Sequence, residues 1–337
     1  MVKKFVYGTP FETEAVVKEI PSSEGNPDYG TFSTENGFSF TTKLADDDMV
    51  FGLGEANRGI NKRGFLYISD CADDPNHVES KTSLYAAHNF IIISGKTHVG
   101  FFFDYPGTLR FDIGYTTSDT MTVSCENADL YVYMITGDSD LDIVKQFRGI
   151  IGRSYIAPKF AFGYGQSRWG YKTEDDFRTV VKKYRENHVP LDMVYMDIDY
   201  MQDYKDFTVN EERFPDFEGF VQDMKKEKIH LVPIIDAGVK VEEGYDIYEE
   251  GCEKGYFCRR EDGSYFEATV WPGWTHFPDV LNADARKWFG DKYDVLVSKG
   301  IDAFWNDMNE PSIFYSQEGL ADFKETAKIY VEGDPEV

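Results

Sequence analysis

The sequence predicts two parts of different fold class, an antiparallel β-sandwich followed by a parallel α/β barrel. Short strand-like runs separated by turn signals predict the sandwich over residues 1–140. Apolar runs alternating with helical patterns predict the parallel sheet over residues 159–337. Residues 141–158 are expected to connect the two parts. A length of 337 residues agrees with about two domains of roughly 150 residues each.

The composition argues against several classes of partner. The chain has 35 basic and 60 acidic side chains, a net charge of −25, whereas nucleic acid and anionic membranes require clustered Lys and Arg. Its apolar runs are shorter than the ~20 residues of a membrane-spanning helix. The apolar stretch after Met1 ends at Gly8, so no signal peptide is expected. The four cysteines form no Cys-x-x-Cys pair, and we predict a reducing, cytoplasmic location without zinc or another cofactor.

The sandwich prediction rests on turn chemistry. Runs 31–35 and 38–44 flank Asn36-Gly37, a strong hairpin signal because both turn positions require positive φ. Runs 97–103 and 108–113 flank Pro106-Gly107 in the same way. Further strand-like runs cover residues 89–94, 120–125 and 129–135.

The barrel prediction rests on four apolar runs, residues 160–165, 193–196, 231–235 and 303–305, with helical patterns between them. Three of these runs end in an aspartate: Asp197, Asp236 and Asp307. Because the functional face of a parallel barrel lies at the carboxyl ends of its strands, we expect these three carboxylates to gather at one mouth. On an extended strand, Glu310 points away from the face of Asp307, so we expect it to support the site from behind.

An insertion is predicted over about residues 239–281, because the step from Asp236 to Asp307 is too long for one helix and its loops. It contains Trp271-Pro272-Gly273-Trp274. Carboxylates beside large flat rings suit sugars, which offer hydroxyls to the former and C–H faces to the latter. The main alternative is a metal site on Asp197-x-Asp199. Metal catalysis is disfavoured because few histidines lie nearby, and we predict no metal.

Three segments carry a family resemblance. Residues 304–311, Phe-Trp-Asn-Asp-Met-Asn-Glu-Pro, closely resemble the nucleophile signature of glycoside hydrolase family 31. Residues 196–201 resemble the Asp-Ile-Asp-Tyr-Met stretch that follows the family's second barrel strand, and residues 51–55 resemble an element of its N-terminal sandwich. The resemblance implies a β-sandwich followed by a (β/α)8 TIM barrel with an insertion after the third strand.

The resemblance also implies roles for individual residues. Asp307 corresponds to the nucleophile of a retaining double displacement, with Glu310 supporting it. Asp197 corresponds to the residue that binds hydroxyls of the non-reducing sugar, and we place Asp236 with it as a substrate-binding residue. Trp169 corresponds to an aromatic residue near the leaving-group sugar, and Asp73 to a sandwich loop over the barrel mouth. The positions that wall the sugar subsite are matched by Ile198, Ile234, Trp271, Trp305 and Met308.

The chain departs from the family pattern after the fourth strand. The family's acid/base aspartate, with an arginine and a histidine of the sugar subsite, comes further along than Val337. An eight-stranded barrel needs about 250 residues, and the sequence accounts for only about the first four βα units. The sequence therefore resembles the N-terminal half of a family enzyme. We expect its partner to be the C-terminal half of the barrel, in the same or another chain, with a homo-oligomer as an alternative.

The functional prediction is a retaining α-glucosidase that removes terminal non-reducing α-linked glucose from small oligosaccharides of the maltose or isomaltose type. The chain alone is expected to be inactive, because it lacks the acid/base residue. The alternatives are an α-xylosidase or transglycosylase of the same family, a non-catalytic carbohydrate-binding fragment, and a metal-dependent sugar isomerase. The sequence leaves the preferred linkage open.

Overall fold

The computed structural model describes residues 1–71, 76–309 and 312–316. The chain divides into two compact units, Met1–Tyr155 and Ile156–Val337. Among the described residues, no helix combines the length and the apolar character needed to cross a bilayer.

The first unit is built from two antiparallel five-stranded sheets. The strands of the first sheet are β1 (Val2–Tyr7), β4 (Met49–Gly52), β6 (Phe90–Ser94), β7 (His98–Asp104) and β10 (Leu130–Gly137). The strands of the second sheet are β2 (Thr31–Ser33), β3 (Phe38–Lys43), β5 (Phe65–Ser69), β8 (Leu109–Ile113) and β9 (Thr120–Cys125). Their spatial orders are β1-β10-β7-β6-β4 and β2-β3-β9-β8-β5, so the predicted sandwich is confirmed.

Phenylalanines on alternate positions of the strands fill the core between the two sheets. Phe40 and Phe101, one from each sheet, are fully buried, and their ring centroids are 4.6 Å apart. The predicted hairpin between β2 and β3 forms around Gly37, which has a φ of +77°. A Cβ atom at this position would lie 2.4 Å from the carbonyl oxygen of Cys125, so glycine is required there on steric grounds too.

The segment after β10 is largely helical. Helix α1 (Asp140–Ile151) begins at Ser139, whose side chain accepts a hydrogen bond from the backbone N–H of Asp142. Its buried residues are Ile143 and Ile150, and the ring of Phe147 stacks on Phe90 of β6 at 3.9 Å. Helix α1 thus packs on the first sheet rather than crossing open solvent.

The second unit contains the predicted parallel sheet, with the order β11 (Gly165–Gln166), β12 (Met193–Met196), β13 (His230–Asp236) and β17 (Trp305–Asp307). Every neighbouring pair is parallel, so a partial barrel of four strands is confirmed. The helices of this unit are α2 (Glu174–Glu186), α3 (Phe217–Lys226), α4 (Asp246–Lys254), α5 (Ala283–Lys292) and α6 (Asp294–Val297). Short 3-10 turns span Lys159–Phe162 and Ile198–Tyr200.

Capping groups and apolar faces explain where the barrel helices lie. The Thr173 hydroxyl accepts a hydrogen bond from the backbone N–H of Asp176, whose carboxylate accepts from the N–H of Thr173, so α2 begins with a capping box. Helix α3 begins after Asp216, whose carboxylate accepts from the N–H of Gly219. Its four apolar residues, spaced three or four apart, all face the core.

The first strand differs from its prediction. The sequence predicts a buried strand over the apolar run 160–165, but its first half forms the 3-10 turn Lys159–Phe162 after Pro158, and the strand is only Gly165–Gln166. Proline fixes φ near −65°, which favours a turn at this point. Phe160 stacks on His230 at 3.5 Å, whereas Phe162 is exposed.

The predicted insertion forms much of an antiparallel sheet. Its strands are β14 (Val239–Lys240), β15 (Glu267–Val270), β16 (Gly273–His276) and β18 (Tyr315–Ser316), in the order β14-β16-β15-β18. We call this the accessory sheet. The turn between β15 and β16 consists of Trp271 and Pro272, since Val270 pairs with Gly273. Strand β14 begins three residues after β13 ends at Asp236, and β18 begins eight residues after β17 ends at Asp307. The accessory sheet is therefore close in sequence to the ends of these two barrel strands.

Candidate active site

The register of the parallel strands sets the geometry of the site. Asp236 and Asp307 are direct register partners at the carboxyl ends of β13 and β17. Neighbouring strands are about 4.8 Å apart, so the two side chains emerge next to each other. Two residues earlier, Ile234 pairs with Trp305. Asp197 directly follows β12, whose last residue Met196 pairs with Pro233. The three aspartates therefore lie at one edge of the sheet.

Asp236 lies in the interior of the group and is only 5% exposed. Burial, followed by the negative charges of Asp307 and Asp197, raises its pKa to about 7. Its Oδ1 has no hydrogen-bond partner among the residues that the structure describes. Its protonated form is therefore favoured at pH values where an ordinary aspartate is fully ionised.

Asp206 is a buried carboxyl group behind Asp236 that the sequence analysis did not single out. Its Oδ1 accepts a hydrogen bond of 3.2 Å from the backbone N–H of Asp236. Burial, followed by the charge of Asp236, holds the pKa of Asp206 well above its usual value. Its backbone carbonyl accepts a 2.8 Å hydrogen bond from the hydroxyl of Tyr245. Asp206 lies between Lys205 and Phe207 in a polar loop, a sequence that predicts an exposed side chain. The neighbouring aromatic residue is the only sequence signal for its burial.

Asp197 begins the 3-10 turn Ile198–Tyr200, and its Oδ1 accepts a hydrogen bond of 2.8 Å from the N–H of Ile198. Burial raises its pKa most, and the charges of Asp199 and Asp307 add to the effect, against the opposing hydrogen bond from Ile198. Asp199 is buried and accepts from Arg213 Nη1 at 3.2 Å. Asp199 thus forms an internal ion pair, whereas Oδ2 of Asp197 has no hydrogen-bond partner among the residues that the structure describes.

The predicted wall residues lie around these carboxylates in different environments. Ile198 and Ile234 are buried within the main hydrophobic cluster of the unit. The carbonyl of Ile234 accepts a 2.8 Å hydrogen bond from the hydroxyl of the fully buried Tyr200, which fixes the end of β13. Trp305 is half-buried, and its ring meets Tyr195 edge-on at 6.0 Å.

Met308 follows Asp307 with a φ of +59°, in the left-handed region that non-glycine residues rarely adopt. The chain therefore turns sharply directly after Asp307. The Met308 side chain packs against a buried cluster formed by residues of the accessory sheet and its flanks: Ala268, Val270, Phe277 and Ile313.

The remaining predicted site residues lie further out or outside the described residues. Trp271 is half-buried, and its ring meets Phe314 edge-on at 4.8 Å. Trp169 lies in the loop after β11 and is 57% exposed, with Lys172 Nζ 5.6 Å from its ring centroid. Glu310 and Asp73 lie outside the residues that the structure describes. Within residues 1–71, 76–309 and 312–316, no three His, Cys, Asp or Glu side chains are grouped as metal ligands would be.

A parallel barrel edge with three convergent carboxylates and nearby tryptophans is typical of a carbohydrate-active enzyme. Family models agree with this class. Residues 154–332 match the TIM-barrel domain of the glycosyl hydrolases family 31, and residues 11–112 match the N-terminal galactose mutarotase-like domain of glycosyl hydrolase 31. The chain belongs to glycosyl hydrolase family 31.

Individual relatives are α-glucosidases. The chain is 37% identical over 277 residues to alpha-glucosidase 2 of Bacillus thermoamyloliquefaciens, a match that covers 81% of this chain and 35% of the relative. It is 28% identical over 318 residues to an alpha-glucosidase of Saccharolobus solfataricus, covering 93% of this chain and 46% of the relative. The chain thus spans between about a third and a half of the length of these relatives.

Solved structures share the fold. The family 31 alpha-glucosidase from Bacteroides thetaiotaomicron superposes with a TM-score of 0.75 at 26% identity, covering 84% of this chain and 48% of that one. A family 31 dextranase of Flavobacterium johnsoniae, complexed with isomaltotriose, gives a TM-score of 0.77 at 23% identity, covering 86% and 35%.

Proposed function

We propose that the chain provides the nucleophile-bearing part of a retaining α-glucosidase, which removes terminal non-reducing α-linked glucose from small oligosaccharides. The observation that carries this proposal is the register pairing of Asp307 with the buried Asp236, beside Asp197, at the carboxyl edge of the barrel sheet. Membership of family 31 and the α-glucosidase names of its relatives support the choice of glucose over xylose.

In this mechanism Asp307 acts as a carboxylate that attacks the anomeric carbon. The bond from that carbon to the leaving oxygen breaks, and the leaving oxygen takes a proton from an acid/base carboxyl group. The resulting β-glucosyl ester on Asp307 is then attacked by water, whose proton returns to the acid/base group. The family resemblance places that group further along the family's chain than the 337 residues here. We therefore expect these residues alone to be inactive on ordinary α-glucosides.

Asp236 supports the nucleophile by its protonation state. Two adjacent carboxylates in a buried site repel each other, so one of them tends to hold a proton. The raised pKa of Asp236 favours a proton on Asp236, beside the proposed nucleophile. The direct sugar contact predicted for Asp236 remains a separate prediction, although a side chain that is 5% exposed offers little surface to a ligand.

Asp197, Trp305, Trp271 and Trp169 complete the proposed sugar site. The free oxygen of Asp197 accepts hydroxyl hydrogens of the terminal glucose. The half-buried rings of Trp305 and Trp271 pack on its C–H faces, and the exposed Trp169 faces the leaving group.

The proposal also includes a partner for the open edges of the parallel sheet. Among the described strands, β11 and β17 each have a neighbour on one side only in the parallel sheet, and open edges of this kind recruit further strands. We propose that the remaining βα units of the barrel, on the same or another chain, fill them. Light scattering would distinguish a homo-oligomer from this arrangement by its molecular mass. Four free cysteines support a reducing, cytoplasmic location.

Mechanism-based labelling tests the proposal. The protein is incubated with 5-fluoro-α-glucosyl fluoride, alone and with the C-terminal part of a family relative, and its peptides are mapped by mass spectrometry. Fluoride leaves without protonation, so the acid/base group is not needed for labelling. We expect a hexose-type adduct on Asp307 that is absent in Asp307→Asn and unaffected by EDTA. The matched control is Asp302→Asn, since Asp302 precedes β17 and pairs with His230 away from the strand ends.

Four results would contradict the proposal. An adduct on a different carboxyl group would mean that this other group, and not Asp307, is the nucleophile. Unchanged labelling of Asp307→Asn would likewise rule out Asp307 as the nucleophile. Absence of any adduct, with and without the added barrel part, would overturn the glucosidase function itself. Loss of labelling on chelation would favour the metal-dependent alternative.

A further inference from the structure

The outward face of the accessory sheet carries a row of three side chains. Trp274 on β16 and Tyr315 on β18 both pair with Thr269 of the central strand β15. Directly paired residues of antiparallel strands lie on the same face of a sheet, so the three side chains stand in one row across it. Trp274 is 39% and Tyr315 is 44% exposed.

The neighbouring row shows which face of the accessory sheet points to the interior of the unit. Ala268, Thr275 and Ser316 are paired across the same three strands, one position along, and all three are buried. Side chains alternate between the faces of a strand, so the row of Trp274, Thr269 and Tyr315 points away from the interior. Trp274 and Tyr315 thus leave about two fifths of their surface open to solvent on this outer face, where a ligand could cover it.

The two rings form a preformed corner. Their centroids are 6.0 Å apart and their planes meet at 74°, so the face of one ring lies beside the edge of the other. The hydroxyl of Thr269 donates a 3.4 Å hydrogen bond to the carbonyl of Tyr315, which ties β15 to β18 beneath the corner. A corner of this kind offers an apolar face and a phenolic hydroxyl to one small ligand with the same two characters.

The row is continuous with the proposed site. Strand β14 begins three residues after Asp236, and Tyr315 lies eight residues after Asp307, so the accessory sheet extends directly from the strand ends that carry the carboxylates. Trp271, in the same hairpin as Trp274, belongs to the proposed sugar wall.

We propose that Trp274, Thr269 and Tyr315 form an outer carbohydrate site, which holds a sugar unit of a longer α-glucan beyond the bond that is cleaved. This inference rests on the proposed function for the identity of the sugar. A neutral polyol fits a row without charged side chains on a chain of net charge −25, whereas nucleic acid does not. Two rings and a hydroxyl are far too small for a stable protein interface, which buries about 1,200 Å² or more.

Length-dependent binding tests the outer site. Affinities for maltose and maltopentaose, and for isomaltose and isomaltopentaose, are measured by calorimetry, with Asp307→Asn used wherever turnover occurs. We expect the pentasaccharide of at least one series to bind about tenfold more tightly than its disaccharide, which corresponds to about 1.4 kcal/mol. Trp274→Ala and Tyr315→Ala are expected to remove this advantage and to leave disaccharide binding unchanged. Trp274→Phe is expected to retain part of it.

The control is Tyr115→Ala, which removes an exposed ring of the first unit and is expected to keep the length advantage. An equal affinity for short and long sugars in both series would overturn the outer site. So would a length advantage that survives in Trp274→Ala. The labelling of Asp307 is scored separately. Length-dependent binding through Trp274 without labelling would refute the glucosidase proposal alone, whereas labelling without length dependence would refute the outer site alone.

Discussion

Replacement of Asp236 by asparagine is expected to make the protein more stable at neutral and alkaline pH. In the folded chain the pKa of Asp236 is raised from 3.8 to about 7 by burial and by the charges of Asp307 and Asp197. In the unfolded chain the group ionises near 3.8. Between these two values the folded state binds more protons than the unfolded state, so the contribution of Asp236 to stability falls as the pH rises. Asparagine resembles the protonated form and cannot ionise.

The magnitude follows from the shift. A rise of roughly three pKa units, at about 1.36 kcal/mol per unit, corresponds to about 4 kcal/mol. The two proteins should have similar free energies of unfolding near pH 4, and Asp236→Asn should become more stable by up to about 4 kcal/mol between pH 4 and pH 8. The pKa values of Asp206 and Asp197 are raised as well, so the pH dependence is expected to reflect these neighbouring carboxyl groups together with Asp236.

The assay is urea unfolding at one-unit pH intervals, followed by tryptophan fluorescence. All five tryptophans lie in the second unit, so fluorescence reports on the barrel alone. Asp223→Asn is the control of opposite sign. The Asp223 carboxylate accepts hydrogen bonds from Lys226 and Arg178, which lower its pKa. Wild type should therefore exceed that variant in stability at neutral pH, and the difference should vanish on acidification. A pH-independent difference for Asp236→Asn, or one that grows on acidification, would refute the reasoning.

Three further substitutions test the fold. Tyr200→Phe removes the buried hydroxyl that donates to the carbonyl of Ile234, and should cost about 1–3 kcal/mol in urea unfolding followed by tryptophan fluorescence; no loss would mean that this hydrogen bond does not form. Thr173→Ala removes the capping box of α2 and should cost about 1 kcal/mol in the same assay, with Thr173→Ser as the variant that retains the cap. Gly52→Ala should lower the calorimetric melting temperature of the first unit, because Gly52 has a φ of +125° and the added Cβ would lie 2.1 Å from the carbonyl oxygen of Phe90; the cost should exceed about 1 kcal/mol, and an unchanged melting temperature would contradict the geometry of β4.

Periodicity made much of the fold predictable. The spacing of Phe217, Phe220, Val221 and Met224 identifies the core face of α3, and all four are buried. The alternation of apolar runs and helices suffices to predict a parallel sheet, and hence that aspartates ending those runs share an edge. The pairing of Asp236 with Asp307 was not predictable, because register depends on how the helices pack behind the sheet.

Other features depend on contacts between residues distant in the sequence. Asp206 is buried because the loop after β12 folds under the end of β13, and no local pattern marks this. The run 160–165 is as apolar as a strand, yet Pro158 and the stacking of Phe160 on His230 hold its first half in a turn. Trp274 and Tyr315 lie 41 positions apart and become neighbours only because both pair with Thr269.

The backbone at Met308 bears on which substitutions the chain can tolerate there. A left-handed conformation costs a non-glycine residue about 1–2 kcal/mol, so glycine would suit the main chain better. The presence of methionine implies that the packing of its side chain beneath the accessory sheet stabilises the fold by more than this conformational cost. Met308 thus connects the end of barrel strand β17 to the accessory sheet through its packing. We therefore expect looser packing of Met308 to shift Asp307 relative to the accessory sheet.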